Sequence, residues 1–296
     1  MSCPDCFSGS IHSNSNNSET PKGKVTKLHG LDVYVSEPAG LAPGADVKGI
    51  IVIIPDGFGW EFVNNRILAD HYAEKGGYRV YLPDFMRGHA APVWTIETMR
   101  SLMRTDSILN WVMKPYHLFW ALYAIIPFRF HNSFAKSWPI VTSFFTAVRE
   151  NEGRNLPIGA AGFCWGGKHT VHLAHGLSTP ATSDGTKPSR PLIDAAFTGH
   201  PSMLHDIPDE VGRIRIPTSF AIGDQDLALR EKHIEQIRRA LDQDRGEVRI
   251  YPGAGHGFCV RADHVLVDAE RQASEAEDQA ISWFQRHFRD VDYSVN

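Results

Sequence analysis

The run of residues 50–54, Ile-Ile-Val-Ile-Ile, limits the folds open to this chain more than any other part of its sequence. All of its side chains are β-branched and apolar, so both faces of the extended strand that it predicts must be covered. Strands buried on both faces are typical of parallel sheets with helices packed on each side. The rest of the chain must therefore provide further strands and the helices that cover them.

Strand-like and helix-like segments alternate along the rest of the chain. The sequence predicts a hairpin around residues 29–30 and further strands over residues 78–83, 158–163, 195–199, 218–222 and 248–251. Amphipathic patterns predict helices over residues 64–75, 166–176, 230–241 and 268–288. This alternation predicts an α/β fold, with a mostly parallel central sheet and helices on both of its faces.

The predicted domain begins at residue 24. Residues 1–23 include a stretch rich in Ser, Asn and Gly, which predicts an extended or mobile segment. Residues 24–296 form a single domain in this interpretation, because no linker interrupts the alternation. Residues 94–151 are aromatic and mostly helical in pattern. We interpret them as an insertion, because the alternation of strands and helices resumes after them.

Composition and charge argue against several classes of protein. Hydrophobic residues make up 42% of the 296 residues and charged residues 22%, as in ordinary globular domains. A net charge of −4 argues against a nucleic-acid-binding surface. The N-terminus shows no basic run followed by an apolar core, so we predict no secretory signal and a cytoplasmic location. Cys3 and Cys6 with His12 lack the second ligand pair of a zinc site, so we expect no bound metal.

The apolar residues 115–128 lie between Lys114 and Arg129 and contain Pro127. This run is shorter than the about 20 apolar residues that span a bilayer, so we predict a buried or lid helix without stable membrane insertion. Contact with a membrane interface is the alternative. The aromatic residues of the insertion indicate either packing of extra helices or a wall that selects a bulky apolar substrate. They are Trp94, Trp111, Tyr116, Phe119, Trp120, Tyr123, Phe128, Phe130, Phe134 and Trp138.

The strand predicted over residues 158–163 leads into Gly-Phe-Cys-Trp-Gly at residues 162–166. This motif has the spacing of the nucleophile elbow, G-x-S-x-G, with Cys164 in the place of serine. Small residues two positions before and after the nucleophile allow the sharp turn from strand to helix. The start of the following helix favours a thiolate at Cys164 and offers the backbone N–H of Trp165. A buried cysteine in a glycine-rich turn is the alternative interpretation.

Two further strands are followed by residues that could complete a catalytic triad. Gly-Asp-Gln-Asp at residues 223–226 follows one strand, and Asp226 is the predicted acid, with Asp224 as its rival. His256 stands among glycines after the strand over residues 248–251. Ligand sites of such folds lie at the carboxyl ends of the strands, and the chain order nucleophile, acid, histidine is that of α/β-hydrolases. Cys164, Asp226 and His256 are therefore the predicted catalytic residues.

With these motifs the sequence resembles the dienelactone hydrolase (carboxymethylenebutenolidase) family, and in particular its fungal branch. The motifs around the three predicted catalytic residues carry the resemblance, together with Tyr-Leu-Pro-Asp-Phe at residues 81–85 and Gly-Phe-Gly-Trp-Glu-Phe at residues 57–62. It extends from about residue 3 to residue 288. The resemblance implies a compact α/β-hydrolase fold and hydrolysis of a small-molecule lactone or related ester through an acyl-cysteine intermediate, without a cofactor.

The resemblance also implies roles for residues outside the triad. The backbone N–H groups of Gly57 and Trp165 would hold the oxyanion. Asp56 stands where bacterial members have a glutamate that primes the thiol, and its side chain is one methylene shorter. Arg87 and Arg261 match arginines that bind a substrate carboxylate, although Arg261 lies one residue further from the histidine.

Two alternatives to a lactone hydrolase follow from the departures from the family pattern. The aromatic insertion also suits a tailoring hydrolase or thioesterase that acts on a fungal polyketide. A non-catalytic small-molecule binding protein could keep the same fold and pocket. The sequence indicates no nucleic-acid partner and leaves a homodimer open.

Overall fold

The structure, a computed structural model, describes residues 11, 19–40, 47–180, 189–262, 267–289 and 291. Cys3, Cys6, His12 and most of the predicted N-terminal segment lie outside the described residues, and so do the expectations that concern them.

The strands of the described residues are β1 (Lys24–Leu28), β2 (Leu31–Ser36), β3 (Ile50–Ile54), β4 (Arg79–Pro83), β5 (Ile158–Phe163), β6 (Ala195–Gly199), β7 (Thr218–Gly223) and β8 (Gly246–Tyr251). They form one eight-stranded sheet in the spatial order β1-β2-β4-β3-β5-β6-β7-β8. The pairs β1–β2 and β2–β4 are antiparallel, and every pair from β4 to β8 is parallel. The mostly parallel sheet of an α/β protein is thereby confirmed.

The helices of the described residues are α1 (Val63–Gly76), α2 (Thr95–Met103), α3 (Ile108–His131), α4 (Phe134–Glu150), α5 (Trp165–Leu173), α6 (Ile207–Gly212), α7 (Glu231–Ala240), α8 (Phe258–Arg261) and α9 (Val267–Phe288). The predicted strands and long helices are confirmed, with ends within three residues of those expected. The helices α6 and α8 were not predicted, because 6 and 4 residues are too few to show a helical period.

The sheet is covered on both faces, as the run Ile50–Ile54 requires, and every side chain of that run is fully buried. A Cβ at Gly159 of β5 would collide with Phe284 of α9, whereas a Cβ at Gly162 would collide with Thr170 of α5. Residues of opposite parity along a strand face opposite sides of a sheet. Helices α5 and α9 therefore pack on opposite faces, and the core lies in two layers with the sheet between them.

Helices α2, α3 and α4 occupy the chain between β4 and β5, where the sequence predicts an insertion. Helix α4 packs inward through Phe144 and Phe145, which are buried. In α3, which is described throughout, the buried residues are Ala121, Ala124 and Phe128, and most large apolar side chains face solvent. Of the predicted buried or lid helix, the buried option is therefore wrong for α3, because two of its three buried side chains are alanines.

Candidate active site

The carboxyl ends of β3, β5, β6, β7 and β8 meet at one edge of the sheet, because these strands are parallel neighbours. The chain runs from β3 outward to β4 and then returns to β5 on the other side of β3. Such a change of direction leaves a crevice at the carboxyl ends of the two strands, where ligands bind in open α/β sheets. The residues that follow β3 and β5 are therefore the first candidates for a site.

Cys164 lies between β5 and α5, with φ 49° and ψ −109°. A positive φ is strained for a residue with a side chain and persists only where the surrounding structure enforces it. The neighbouring glycines permit the close packing of this turn. A Cβ at Gly162 would collide with the backbone of Gly166, and a Cβ at Gly166 would collide with the carbonyl oxygen of Ile54. The structure thus has the sharp strand-to-helix turn that the spacing of the motif predicts.

The side chain of Cys164 is in contact with the loop that follows β6. The residue is 4% exposed, and its sulfur lies 3.6 Å from the hydroxyl oxygen of Ser202. The backbone N–H of Ser202 donates to the carbonyl oxygen of Cys164 at 3.0 Å, which fixes this loop against the turn. A hydroxyl at this distance can donate to a thiolate or accept from a thiol.

His256 and Asp226 form a hydrogen-bonded pair that is closed to solvent. Nδ1 of His256 lies 2.8 Å from Oδ2 and 3.0 Å from Oδ1 of Asp226, and both side chains have 0% exposure. The backbone N–H of Ala228 donates to the Asp226 carboxylate at 2.7 Å and orients it. The rival Asp224 accepts the backbone N–H of Gly253 instead, and so stabilises the loop that carries His256.

Electrostatic interactions connect this pair with Cys164. Burial lowers the pKa of His256, but the negative charges of Cys164 and Asp226 outweigh burial and raise that pKa well above its usual value. Because Nδ1 is bound to Asp226, Nε2 is the ring nitrogen that remains for Cys164. A negative charge on Cys164 and a positive charge on His256 would stabilise each other.

The two backbone N–H groups expected in an oxyanion hole lie at the same edge of the sheet. Trp165 is the first residue of α5, so its N–H has no acceptor within the helix. Its ring is fixed by a hydrogen bond from Nε1 to the carbonyl oxygen of Asn132 at 2.9 Å. Gly57 follows β3, and its N–H has no acceptor among the residues that the structure describes. Both N–H groups are therefore available to a ligand.

Asp56, shortly after β3, is fully buried and forms an ion pair with Arg261 of α8. Its carboxylate also accepts from Nδ2 of Asn65 at 3.0 Å and from the backbone N–H of Phe58 at 3.1 Å. Burial raises the pKa of Asp56, the positive charge of Arg261 opposes this rise, and the negative charge of Cys164 adds to it. The effect of Cys164 indicates that Asp56 and the thiol share one buried region.

The two arginines expected to bind a substrate carboxylate have different surroundings. The Arg261 side chain has 0% exposure, and its guanidinium contacts Asp56. Asp56 thus supplies a carboxylate partner of Arg261, and the binding of a substrate carboxylate by Arg261 stays a prediction. Arg87 is exposed on the loop after β4, with φ 50°. Of the two, Arg87 is the one accessible to a ligand from solvent.

Two residues at this edge were not predicted from the sequence. His200 and Ser202 lie in the loop after β6. Their position at the carboxyl end of a predicted strand is the sequence signal that marks them as candidates. The rings of His200 and His256 lie 5.0 Å apart, centroid to centroid. Burial lowers the pKa of His200 well below its usual value, and the charges of His256 and Arg261 lower it further. The site therefore holds a neutral imidazole beside the imidazole of the aspartate–histidine pair.

Within the described residues, no group of three or more His, Cys, Asp or Glu side chains is arranged to hold a metal ion.

The chain is similar to known hydrolases in sequence and in fold. The sequence model of the dienelactone hydrolase family matches residues 139–288, from within α4 to the end of α9. The chain is 28% identical over 287 residues to the hydrolase pyvD of Aspergillus violaceofuscus, with 96% of each chain covered. It is 22% identical over 270 residues to a carboxymethylenebutenolidase homolog of Xenopus tropicalis, with 90% of this chain and 91% of the relative covered. The crystal structure of dienelactone hydrolase from Anabaena variabilis matches with a TM-score of 0.52 and 16% identity, over 92% of this chain and 100% of the other.

Proposed function

The chain belongs to the dienelactone hydrolase family, and on this basis we propose that it opens an enol lactone, or cleaves an activated ester, with Cys164, His256 and Asp226 as a catalytic triad. Membership in the family makes the protein a hydrolase of carboxylic esters or lactones. The proposal adds the nucleophile, the roles of the other two residues and the class of substrate. One observation carries it: a cysteine in a strained strand-to-helix turn interacts with a buried histidine that a buried aspartate orients.

In the first half-reaction, Cys164 acts as a thiolate and His256 as its imidazolium partner. The sulfur attacks the carbonyl carbon of the substrate, and the carbonyl oxygen becomes an oxyanion that accepts from the N–H groups of Gly57 and Trp165. When the oxyanion collapses, the bond from carbon to the leaving oxygen breaks, and Nε2 of His256 donates its proton to that oxygen. An acyl-cysteine and a neutral imidazole result.

In the second half-reaction, Nε2 of the neutral His256 removes a proton from water, and the resulting hydroxide attacks the acyl carbon. The thiolate leaves, the carboxylic acid product departs, and the pair of thiolate and imidazolium is restored. Asp226 stabilises the imidazolium through Nδ1 in both half-reactions. It also keeps the ring in the orientation in which Nε2 faces the cysteine.

The proposed nucleophile limits the class of substrate. A thiolate expels good leaving groups, such as the enolate of an enol lactone, more readily than simple alkoxides or amines. Arg87 is the proposed partner of a substrate carboxylate, because a planar guanidinium matches that group. Cys164 is 4% exposed and the His256 side chain has 0% exposure, so the proposed nucleophile and base have little contact with solvent.

Turnover of a panel of enol lactones and activated aryl esters by the wild type and by Cys164→Ala tests this proposal. Cys259 provides the matched control, because it is the other buried free thiol of the described residues. We expect Cys164→Ala to lose turnover by at least about 10³-fold and Cys259→Ala to stay within a few-fold of the wild type. Turnover that survives in Cys164→Ala would contradict the cysteine mechanism. A wild type that prefers alkyl amides to enol lactones would contradict the substrate class.

A further inference from the structure

Helix α3 presents a large apolar surface to solvent. Its exposed residues with large apolar side chains, which we call the α3 surface, are Ile108, Leu109, Trp111, Val112, Tyr116, Leu118, Phe119, Trp120, Leu122, Tyr123, Ile126 and Phe130. The exposed fraction reaches 85% at Ile108 and 66% at Phe130. Large contiguous apolar patches are uncommon on monomers in water and mark sites of contact with a protein, a membrane or a ligand.

The side chains of α3 are distributed in the opposite way to those of an ordinary surface helix, because large apolar side chains face solvent and small ones face the protein. Its buried residues, Ala121, Ala124 and Phe128, recur at helical spacing and form a narrow face toward the protein. Aromatic and branched residues occupy most of the remaining circumference. Apart from Trp120, whose ring centre lies 5.9 Å from that of Trp94, the exposed apolar residues could be replaced by polar ones without loss of the buried face. The packing of that face therefore does not explain them. They fit a contact with something outside the chain.

Basic residues accompany the α3 surface, and acidic residues are missing from its part of the sequence. No Asp or Glu occurs between Asp106 and Glu150, whereas Lys114, Arg129 and Lys136 lie in or next to α3. The whole chain carries a net charge of −4, so this positive segment stands out against the rest of the protein. Positive charge beside aromatic and aliphatic side chains is the pattern of helices that lie on anionic membranes.

Two lysine side chains lie over aromatic rings of the same region. Nζ of Lys114 is 3.8 Å from the centre of the Trp111 ring, and Nζ of Lys136 is 3.6 Å from the centre of the Phe130 ring. Long cationic side chains can keep their charge at the water boundary while neighbouring rings enter an apolar phase. Trp and Tyr are also the residues enriched where membranes meet water.

We propose that the α3 surface docks the protein on an anionic lipid bilayer, with α3 lying in the plane of the interface. The aromatic and aliphatic side chains would enter the boundary between headgroups and acyl chains, and the basic side chains would contact the lipid phosphates. The helix has 24 residues, so this contact is about 36 Å long. No helix in the described part of the chain is long and apolar enough to cross a bilayer.

An anionic bilayer fits the charge of this surface better than a second copy of the chain does. In a symmetric dimer the same patch meets itself, so Lys114 and Arg129 would approach basic groups of the other copy. The sequence of α3 contains no carboxylate side chain that could pair with them. Lipid phosphates supply the negative charge that a second α3 surface lacks.

Docking through α3 would place the candidate active site close to the bilayer. Helix α3 ends at His131, and the next residue, Asn132, accepts the hydrogen bond from Nε1 of Trp165. Trp165 directly follows Cys164 in the chain. Docking is nevertheless independent of ester hydrolysis and can be measured without turnover.

Flotation of the full-length protein with lipid vesicles measures docking. We expect at least about tenfold more protein to float with vesicles of phosphatidylcholine and phosphatidylglycerol than with vesicles of phosphatidylcholine alone. A higher salt concentration should reduce flotation, because it screens the lipid charge. Trp111 and Trp120 belong to the α3 surface, so tryptophan emission should shift to shorter wavelength on binding. Equal flotation with both kinds of vesicle, or with neither, would overturn the proposal.

Variants at exposed apolar positions test the contact itself. Phe119 and Tyr123 are 62% and 61% exposed, so the double variant Phe119→Gln with Tyr123→Gln should fold normally. We expect it to partition into anionic vesicles at least about tenfold less than the wild type. Val25→Gln is the matched control, because Val25 is 52% exposed on β1 and lies outside α3. If the double variant Phe119→Gln with Tyr123→Gln floats as well as the wild type, α3 is not the docking surface.

Variants of the basic residues test the charge. Lys114→Gln with Arg129→Gln should weaken flotation about fivefold for each positive charge removed. Lys24→Gln with Lys232→Gln removes the same charge from other surfaces and should float like the wild type. Equal losses in the two double variants would overturn the assignment to α3. Sedimentation velocity without lipid tests whether a second copy of the chain covers the α3 surface instead. If the wild type is a dimer and the double variant Phe119→Gln with Tyr123→Gln is a monomer, the surface belongs to a dimer interface.

Discussion

The buried ion pair between Asp56 and Arg261 predicts a specific pattern of stability among variants. Both side chains have 0% exposure, so removal of one partner leaves the charge of the other without water around it. Arg261→Met and Asp56→Asn should each lower the free energy of unfolding by about 3–5 kcal/mol. The double variant should lose much less than the sum of these two losses, because neither charge then remains buried without a partner.

Urea unfolding followed by tryptophan fluorescence measures these free energies, and the wild type, the single variants and the double variant form a double-mutant cycle. Lys27 and Asp32 provide the matched control, since their ion pair has an N–O distance of 2.8 Å but both side chains are exposed. Lys27→Met and Asp32→Asn should each change the free energy of unfolding by less than about 1 kcal/mol. Losses below about 1 kcal/mol at Asp56 or Arg261, or additive losses in their double variant, would refute the reasoning.

Other variants test the acid of the triad, the thiolate and the pH dependence of stability. Asp226→Asn should lower kcat/KM by about 10³–10⁴-fold, because Asp226 is the aspartate bound to the His256 ring. Asp224→Asn should stay within a few-fold of the wild type. Equal losses in the two variants would contradict the choice of Asp226. Ser202→Ala should slow the alkylation of Cys164 by iodoacetamide at neutral pH about fivefold, because the thiolate loses a hydrogen-bond donor. An unchanged rate of alkylation would exclude that role of Ser202. The hydrogen bond with Glu277 raises the pKa of His71 from 6.5 to about 9. Protonated His71 therefore stabilises the folded protein fully below pH 6.5, and this contribution is lost as the pH rises through about 9. His71→Gln should flatten the pH dependence of the free energy of unfolding over that range, and an unchanged slope would disprove the assignment.

The strands and long helices could be predicted because short stretches of sequence encode them. The β-branched run at residues 50–54 can satisfy its apolar side chains only as a strand covered on both faces. The orientation of α3 could not be predicted in the same way, because a helix that is apolar on nearly all sides has no period that marks its buried face. Small residues such as Ala121 and Ala124 pack against the protein there, whereas the sequence left open whether the aromatic residues pack or line a substrate pocket.

The candidate site was predictable where its residues follow strands, as Cys164 does directly after β5 and His256 does in the loop after β8. The pairing of Asp56 with Arg261 was not, because 205 residues separate the two and neither local motif contains the other partner. The neutral state of His200 depends on complete burial, which is a property of the tertiary structure and leaves no pattern in the sequence.

Trapping of the acyl-enzyme tests most directly whether Cys164 is the nucleophile. The wild type is mixed with p-nitrophenyl acetate, quenched in acid during turnover and digested, and the peptide that contains Cys164 is examined by mass spectrometry. The proposed mechanism predicts an acetyl group on Cys164 that forms together with nitrophenolate and is missing from Cys164→Ala, which also loses turnover. Acetylation of another residue at the rate of turnover, or undiminished turnover by Cys164→Ala, would contradict the mechanism.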